Sequence, residues 1–191
     1  VKSWKDKFAA HGSVSWGFSP PSLSEVRTSE GSINTILQAE KGTNYELGFR
    51  SNGQRFQTDI TLFSLQLRDA FVTKTAADGT VLFENAGSTS NQGIEVMMTY
   101  PLIKSRKKTY YESDEESFFR TLNASLAYTY NHFRFKEYFK RDNDFSGNAY
   151  TGVAPHILNV GLNLLTNIGV FANVNYNFTD KIPLNDANTV F

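Results

Sequence analysis

The chain has 191 residues, 40% hydrophobic, 14% aromatic and 20% charged, and its 19 basic and 19 acidic side chains balance to a formal net charge of zero. Neutrality argues against nucleic acid as a partner, which would call for a basic stripe, and the absence of cysteine removes disulfide frameworks, thiol chemistry and Cys-ligated zinc. Asn, Gly, Ser or a charge interrupts every apolar run well short of the ~20 residues a membrane helix needs, whereas the length suits one ordinary domain or roughly seven or eight membrane β-strands of ~10 residues.

In chain order, a first strand is predicted at about 11–19, where Val14, Trp16 and Phe18 alternate with Ser13, Ser15 and Gly17. Pro20-Pro21 cannot donate ladder hydrogen bonds and ends it. The second, at 43–51, sets Tyr45, Leu47 and Phe49 against Asn44, Glu46, Gly48 and Arg50. Ser51-Asn52-Gly53-Gln54 follows as a tight hairpin whose Asn-Gly pair favours a type I′ turn. The third strand, 55–68, begins with Phe56, Thr58, Ile60 and Leu62 on one face but then places Phe63, Leu65 and Leu67 on the other; a bulge, or an aromatic side chain lining the interior, would explain the switch.

A fourth strand, 87–100, carries Ile94, Val96, Met98 and Tyr100 on one face. After it, Lys104, Arg106, Lys107 and Lys108 precede Glu112, Asp114, Glu115 and Glu116, a self-neutralising hairpin extension. The clearest period of two follows in three strands. At 119–133, Leu122, Ala124, Leu126, Tyr128 and Tyr130 alternate with Asn123, Ser125, Ala127 and Thr129. At 155–165, Leu158, Val160, Leu162 and Leu164 alternate with Asn159, Gly161 and Asn163. At 170–178, Val170, Ala172, Val174, Tyr176 and Phe178 alternate with Asn173, Asn175 and Asn177, after a second short turn at Thr166-Asn167-Ile168-Gly169.

Seven such strands would fit a soluble β-sandwich, were it not for their length and connections. Nine residues at ~3.3 Å, tilted by ~40°, rise ~23 Å, close to the ~25 Å apolar band of an outer-membrane barrel. Links of about twenty residues at 19–42, 69–86 and 134–154 alternate with the short turns, as barrel rims do. Tyr100, Tyr128, Tyr130, Tyr176 and Phe178 would then form interfacial girdles. The expected fold class is therefore all-β, with about seven antiparallel transmembrane β-barrel strands in contact with the outer-membrane bilayer. Because Val1 to Ala10 makes a poor lipid-facing strand, a small closed eight-stranded barrel, an adhesin or hydrolase, is the weaker alternative, beside a secreted β-sandwich binding module. The chain begins at Val1 with no initiator Met, basic n-region or apolar h-region, so any export signal is expected to have been removed or to lie upstream, as in a fragment.

Gly17-Phe18-Ser19-Pro20-Pro21-Ser22-Leu23-Ser24-Glu25, Leu37-Gln38-Ala39-Glu40 and Asn44-Tyr45-Glu46-Leu47-Gly48 resemble the mid-to-late barrel of TonB-dependent outer-membrane receptors. So do Thr61-Leu62-Phe63, Glu84-Asn85-Ala86-Gly87, Asn91-Gln92-Gly93-Ile94-Glu95, Pro155-His156 and Asn185-Asp186-Ala187-Asn188-Thr189, in that order over about 12–189. The resemblance implies a 22-stranded barrel, plugged by an N-terminal domain, that imports a scarce ligand such as a ferric siderophore with energy from the TonB complex. Residues 1–191 would be a partial barrel domain of such a receptor, lacking the plug and the remaining strands. Lys181 to Phe191, with Pro183 and Asn185-Asp186 and no alternation, is expected to be a loop rather than a closing strand.

No catalytic constellation, metal site or cofactor motif is found. His11, His132 and His156 fall at strand ends, where an interfacial or capping role is expected. Ligand contacts are expected from the long loops and the upper lumen: Arg27, Glu40, Arg68, Arg134, Tyr138, Phe139, Arg141 and Tyr150, whose guanidinium groups and rings suit an anionic iron chelate. Asn123, Asn159, Asn163, Asn173, Asn175 and Asn177 are expected to hydrate the lumen.

Overall fold

In the computed structural model, residues 2–4, 8–53, 56–75, 79–104, 118–140 and 143–191 are described, with backbone alone at 2–4, 72–75, 86 and 104. Chain order gives β1 (Lys2–Trp4), β2 (Phe8–Ser19), α1 (Leu23–Val26), β3 (Glu40–Asn52), β4 (Gln57–Thr75), β5 (Val81–Lys104), β6 (Phe119–Lys140), β7 (Asn143–Asp144), β8 (His156–Thr166) and β9 (Phe171–Thr179). One antiparallel sheet runs in the order β1-β2-β3-β4-β5-β6-β8-β9, and β7 adds to the upper end of β6. All seven expected strands are present. The charged stretch after Lys104 and the residue Arg141 lie outside the described residues.

This sheet has a single layer. Leu162 and Val174, which a sandwich would enclose, are 41% and 64% exposed, and the only buried hydrophobic residues among those described are Phe135, Tyr138 and Ala154. The two-layer alternative is thereby excluded. Nor do the described residues pair β9 with β1 or β2, so the sheet is open, and the closed eight-stranded alternative does not form.

Cross-strand partners share a face, so the register assigns each side chain. On one face the rows read Val14–Tyr45–Ser64, Ala10–Phe49–Ile60–Val96–Tyr128–Leu158–Phe178 and Leu126–Val160–Tyr176. The opposite face carries Asn123–Asn163–Asn173, Asn159–Asn177 and the Arg50–Asp59 ion pair, whose Nε–Oδ2 distance is 2.6 Å. The asparagines expected inside lie there together. Apolar rows begin at Phe18 on β2 but several rows lower, at Leu158 and Phe178, on β8 and β9; this stagger is that of strands tilted in a membrane wall.

His132 and His156 join the outer girdle, whereas His11 faces inward beside Gly48. Tyr128 Oη lies 2.9 Å from His156 Nδ1, and the Tyr130 ring stacks on His156 at 5.1 Å, so His156 packs with aromatics at the interface.

Phe63 lines the interior, and no bulge is needed beside it: the β3–β4 and β4–β5 registers run unbroken through Leu62 and Phe63. Its ring meets Phe133 edge-on at 6.1 Å and lies over Gly93, where an added Cβ would fall 2.4 Å from both the Phe63 ring and the Tyr130 carbonyl oxygen. Gly48 likewise leaves room for the His11 ring. The bulges of β4 come higher, between Leu67 and Phe71.

Two expectations need correction. Asn52-Gly53 forms no type I′ turn, which requires positive φ at both residues; neither has one, β3 continues through Asn52 paired to Gln57, and the Gly53 N–H donates to the Phe56 carbonyl at 3.0 Å. At the other short turn, Gly169 does take φ 85°, closing Thr166–Val170 with a backbone bond of 2.9 Å. In addition, 69–86 is not a long loop. β4 and β5 stay paired up to Thr75 and Val81, and β6 likewise continues to Lys140, so the wall rises as ladder well above its apolar band. The 20–39 connection leans on this hairpin: Asn34 Nδ2 donates to the Phe83 carbonyl at 2.7 Å, and Gln38 N–H to Asn85 Oδ1 at 2.7 Å.

Candidate functional site at the outer mouth

Above Tyr130 the edge of β6 loses β8 and is taken over by residues 143–155. Asn131 N–H donates to the Pro155 carbonyl at 2.8 Å, Tyr150 N–H to Phe133 at 3.1 Å and Gly147 N–H to Phe135 at 2.8 Å. A register shift between Ser88 and Thr89 lets both Phe135 and Tyr138 turn inward. Their rings sit 4.5 Å apart, Tyr150 stacks on Phe135 at 4.8 Å, and Phe145 follows Tyr138 at 5.7 Å.

Asp186 holds this aromatic column to the C-terminal segment. Its Oδ2 accepts from Tyr138 Oη at 3.1 Å and Lys140 Nζ at 3.2 Å, and its Oδ1 from Thr151 Oγ1 at 2.8 Å. Asn188, at φ 52°, pairs both its amide atoms with Ala149, accepting from the N–H at 2.7 Å and donating to the carbonyl at 3.0 Å. Thus 180–191 is a knot of side-chain hydrogen bonds and not a strand.

Burial works against the Asp186 carboxylate, yet the bonds from Thr151, Lys140 and Tyr138 outweigh it and hold its pKa below the ordinary value. Lys140 is raised, first by its bond to Asp186. Burial raises the Tyr138 phenol, with Asp186 adding to it, and raises Tyr150, with the Glu40 and Asp186 carboxylates adding. A depressed acid contributes stability above its unfolded pKa of ~3.9 and loses it as pH falls through the folded value; a raised lysine contributes below ~10.4 and loses it as pH rises through its own. The knot is therefore tightest between about pH 4 and 10. Asp186→Ala should loosen it by about 1–3 kcal/mol, the cost of stranding three donors. Amide exchange at Ala149 and Leu184 should accelerate in that variant at neutral pH and, in the native chain, near pH 3; unchanged protection would show that Asp186 holds nothing.

Of the eight expected contact residues, Glu40, Tyr138 and Tyr150 come together on the inner side. Glu40 is also an acceptor, taking the Phe71 N–H at 2.7 Å. Arg27 sits exposed in the 20–39 connection, in an isolated bridge with Ile33. Register places Arg68 beside Lys41 and Arg134 beside Ser90, on the outer face and not in the lumen. Phe139, 57% exposed, points away from Tyr138. Asp186 and Asn188 escaped sequence reasoning as anchors; the signal was the Asn185–Thr189 run itself, too polar and turn-rich for a strand yet dense in side chains that bond backbone.

Among the described residues no three His, Asp or Glu gather into a metal site. A family model described as "TonB dependent receptor-like, beta-barrel" matches residues 3–191. No curated protein matches the chain. Among solved structures it is similar to the ferric preacinetobactin receptor BauA from Acinetobacter baumannii, at 17% identity and a TM-score of 0.66 over 97% of this chain and 25% of that one. The ferric yersiniabactin uptake receptor FyuA from Yersinia pestis matches at 16% identity and 0.64, over 97% and 26%. The FrpB iron transporter from Neisseria meningitidis matches at 17% and 0.63, over 93% and 25%. The chain thus spans about a quarter of the length of each.

Proposed function

Since the chain belongs to the TonB dependent receptor-like β-barrel family, whose barrels stand in the Gram-negative outer membrane, we propose that it forms part of the wall and mouth of a receptor importing a ferric siderophore or another iron complex. Members of this family are transporters and not enzymes. Energy would arrive from TonB through a plug domain beyond these residues.

One observation carries the reading: an apolar outer face backs a hydrated inner face whose upper end bears the Tyr150–Phe135–Tyr138 column. Phe135 and Tyr138 are buried and back the half-buried Tyr150 ring, which suits a chelate with aromatic or catecholate arms by stacking and hydrogen bonding. Arg27, Phe139 and Arg141 would add contacts from the loops, with Glu40 and Tyr150 at the inner rim. Three of the similar structures are named as iron or ferric-chelate proteins and another as a copper transporter, which supports a metal cargo with iron as the first choice.

In a strain expressing the complete receptor, radiolabelled iron supplied as a ferric chelate should enter only when both the receptor and TonB are present. Tyr150→Ala should weaken chelate binding by about tenfold, the equivalent of ~1.4 kcal/mol. Iron uptake that survives deletion of the receptor for every chelate supplied would remove the reading.

A further inference from the structure

On the outer face, the topmost row of the first three full strands is Phe18–Lys41–Arg68, and the next row down is Trp16–Thr43–Gln66. Below these come Val14–Tyr45–Ser64 and then the apolar rows. Two cations thus share a row with the Phe18 ring and stand one row above Trp16, at the level where a lipid headgroup meets its acyl chains. Trp16 and Phe18 are 76% and 75% exposed. Between cations and rings lies a cavity of about 700 Å³, lined by Trp16, Phe18, Tyr45, Gln66, Lys41 and Arg68.

Lys41 shares its charge with Asp69 at 3.3 Å, while Arg68 has no acidic partner among the described residues. Arg68 also borders a second, polar cavity of about 500 Å³ shared with Lys136 and Glu137. An unpaired guanidinium at a membrane surface matches a phosphate through its forked donors, and a neighbouring ammonium adds a point charge.

We propose that Lys41 and Arg68 bind the phosphate of a lipid headgroup in the outer leaflet, with the lipid's acyl chain lying over Trp16, Phe18 and Tyr45. The rim carrying the long connections faces outward, so the lipid is one of that leaflet. An apolar cleft roofed by positive charge selects an anionic amphiphile over either a neutral lipid or a free anion. This site lies on the wall's exterior and is independent of what passes through the lumen.

The complete receptor, stripped of lipid in neutral detergent, is mixed with phosphatidic acid, diacylglycerol or inorganic phosphate, and bound lipid is read by native mass spectrometry. Phosphatidic acid should bind, diacylglycerol should not, and inorganic phosphate at equal concentration should not displace the lipid. In the Lys41→Gln/Arg68→Gln double variant retention should fall about tenfold or more. The charge-conserving Lys41→Arg/Arg68→Lys pair should retain it, which separates loss of charge from misfolding. Equal retention by the glutamine pair, loss in the charge-conserving pair, binding of diacylglycerol as strong as that of phosphatidic acid, or displacement by inorganic phosphate would each overturn the assignment.

Discussion

Leu162→Arg is expected to destabilise a complete barrel containing this chain by about 2–4 kcal/mol, the cost of a guanidinium held near the middle of the apolar band. Leu162 is flanked on the same face by Ala124 and Val174 and has no polar neighbour in its row. Asn163→Lys, one residue along and facing the lumen beside Asn123 and Asn173, should cost under about 1 kcal/mol. Denaturant unfolding of both variants, refolded into the same detergent, measures the difference. Equal costs would mean that the two faces see the same solvent, and the membrane assignment would fall.

Gly93→Ala is the second large effect, at about 3 kcal/mol, the upper end for overpacking a filled site. The new Cβ would meet the Phe63 ring and the Tyr130 carbonyl oxygen, each 2.4 Å away. A ring can turn aside, whereas a carbonyl in the β5–β6 ladder cannot move without breaking pairs. Adding Phe63→Ala should therefore fail to restore stability, and heat-modifiable gel migration of the single and double variants provides the reading. Full rescue by the second substitution would show that the ring alone sets the limit.

Where the sheet has hydrocarbon on one side and water on the other, its sequence is close to a transcript of its structure. Leu122 to Tyr130, Leu158 to Leu164 and Val170 to Phe178 alternate because the faces meet different solvents, so strand positions and facing followed directly. Phe63 broke the pattern and its interior placement was still legible, since a ring on the wrong face needs either a bulge or a space, and Gly93 supplies the space. Legibility ended where the strands left the membrane. Around Asp69 to Phe71, Val81 to Asn85 and Arg134 to Lys140 both faces are wet or packed by loops, the period of two fades, and the sequence reads as loop where the strands stay paired. The mouth was legible only in part for a related reason. Arg68 and Arg134 share a residue type with lumen-facing side chains, but the face they occupy depends on register counted down from the apolar rows. Asp186 became an anchor through contacts with residues as distant as Tyr138, which no local pattern encodes.

Height above the bilayer is built in two different ways at this rim. The β4–β5 hairpin carries its backbone pairing from Gln92 up to Val81, roughly 35 Å of ribbon interrupted by the bulges between Leu67 and Phe71, while the 143–155 and 180–191 segments are secured chiefly by Asp186, Asn188 and short backbone contacts. Bending the ribbon would rupture many backbone hydrogen bonds at once, but releasing the knot requires the loss of only a few side-chain hydrogen bonds. This stretch of rim is consequently lopsided in compliance, with one rigid pillar and one yielding bank, and any widening or narrowing along it starts from the yielding side.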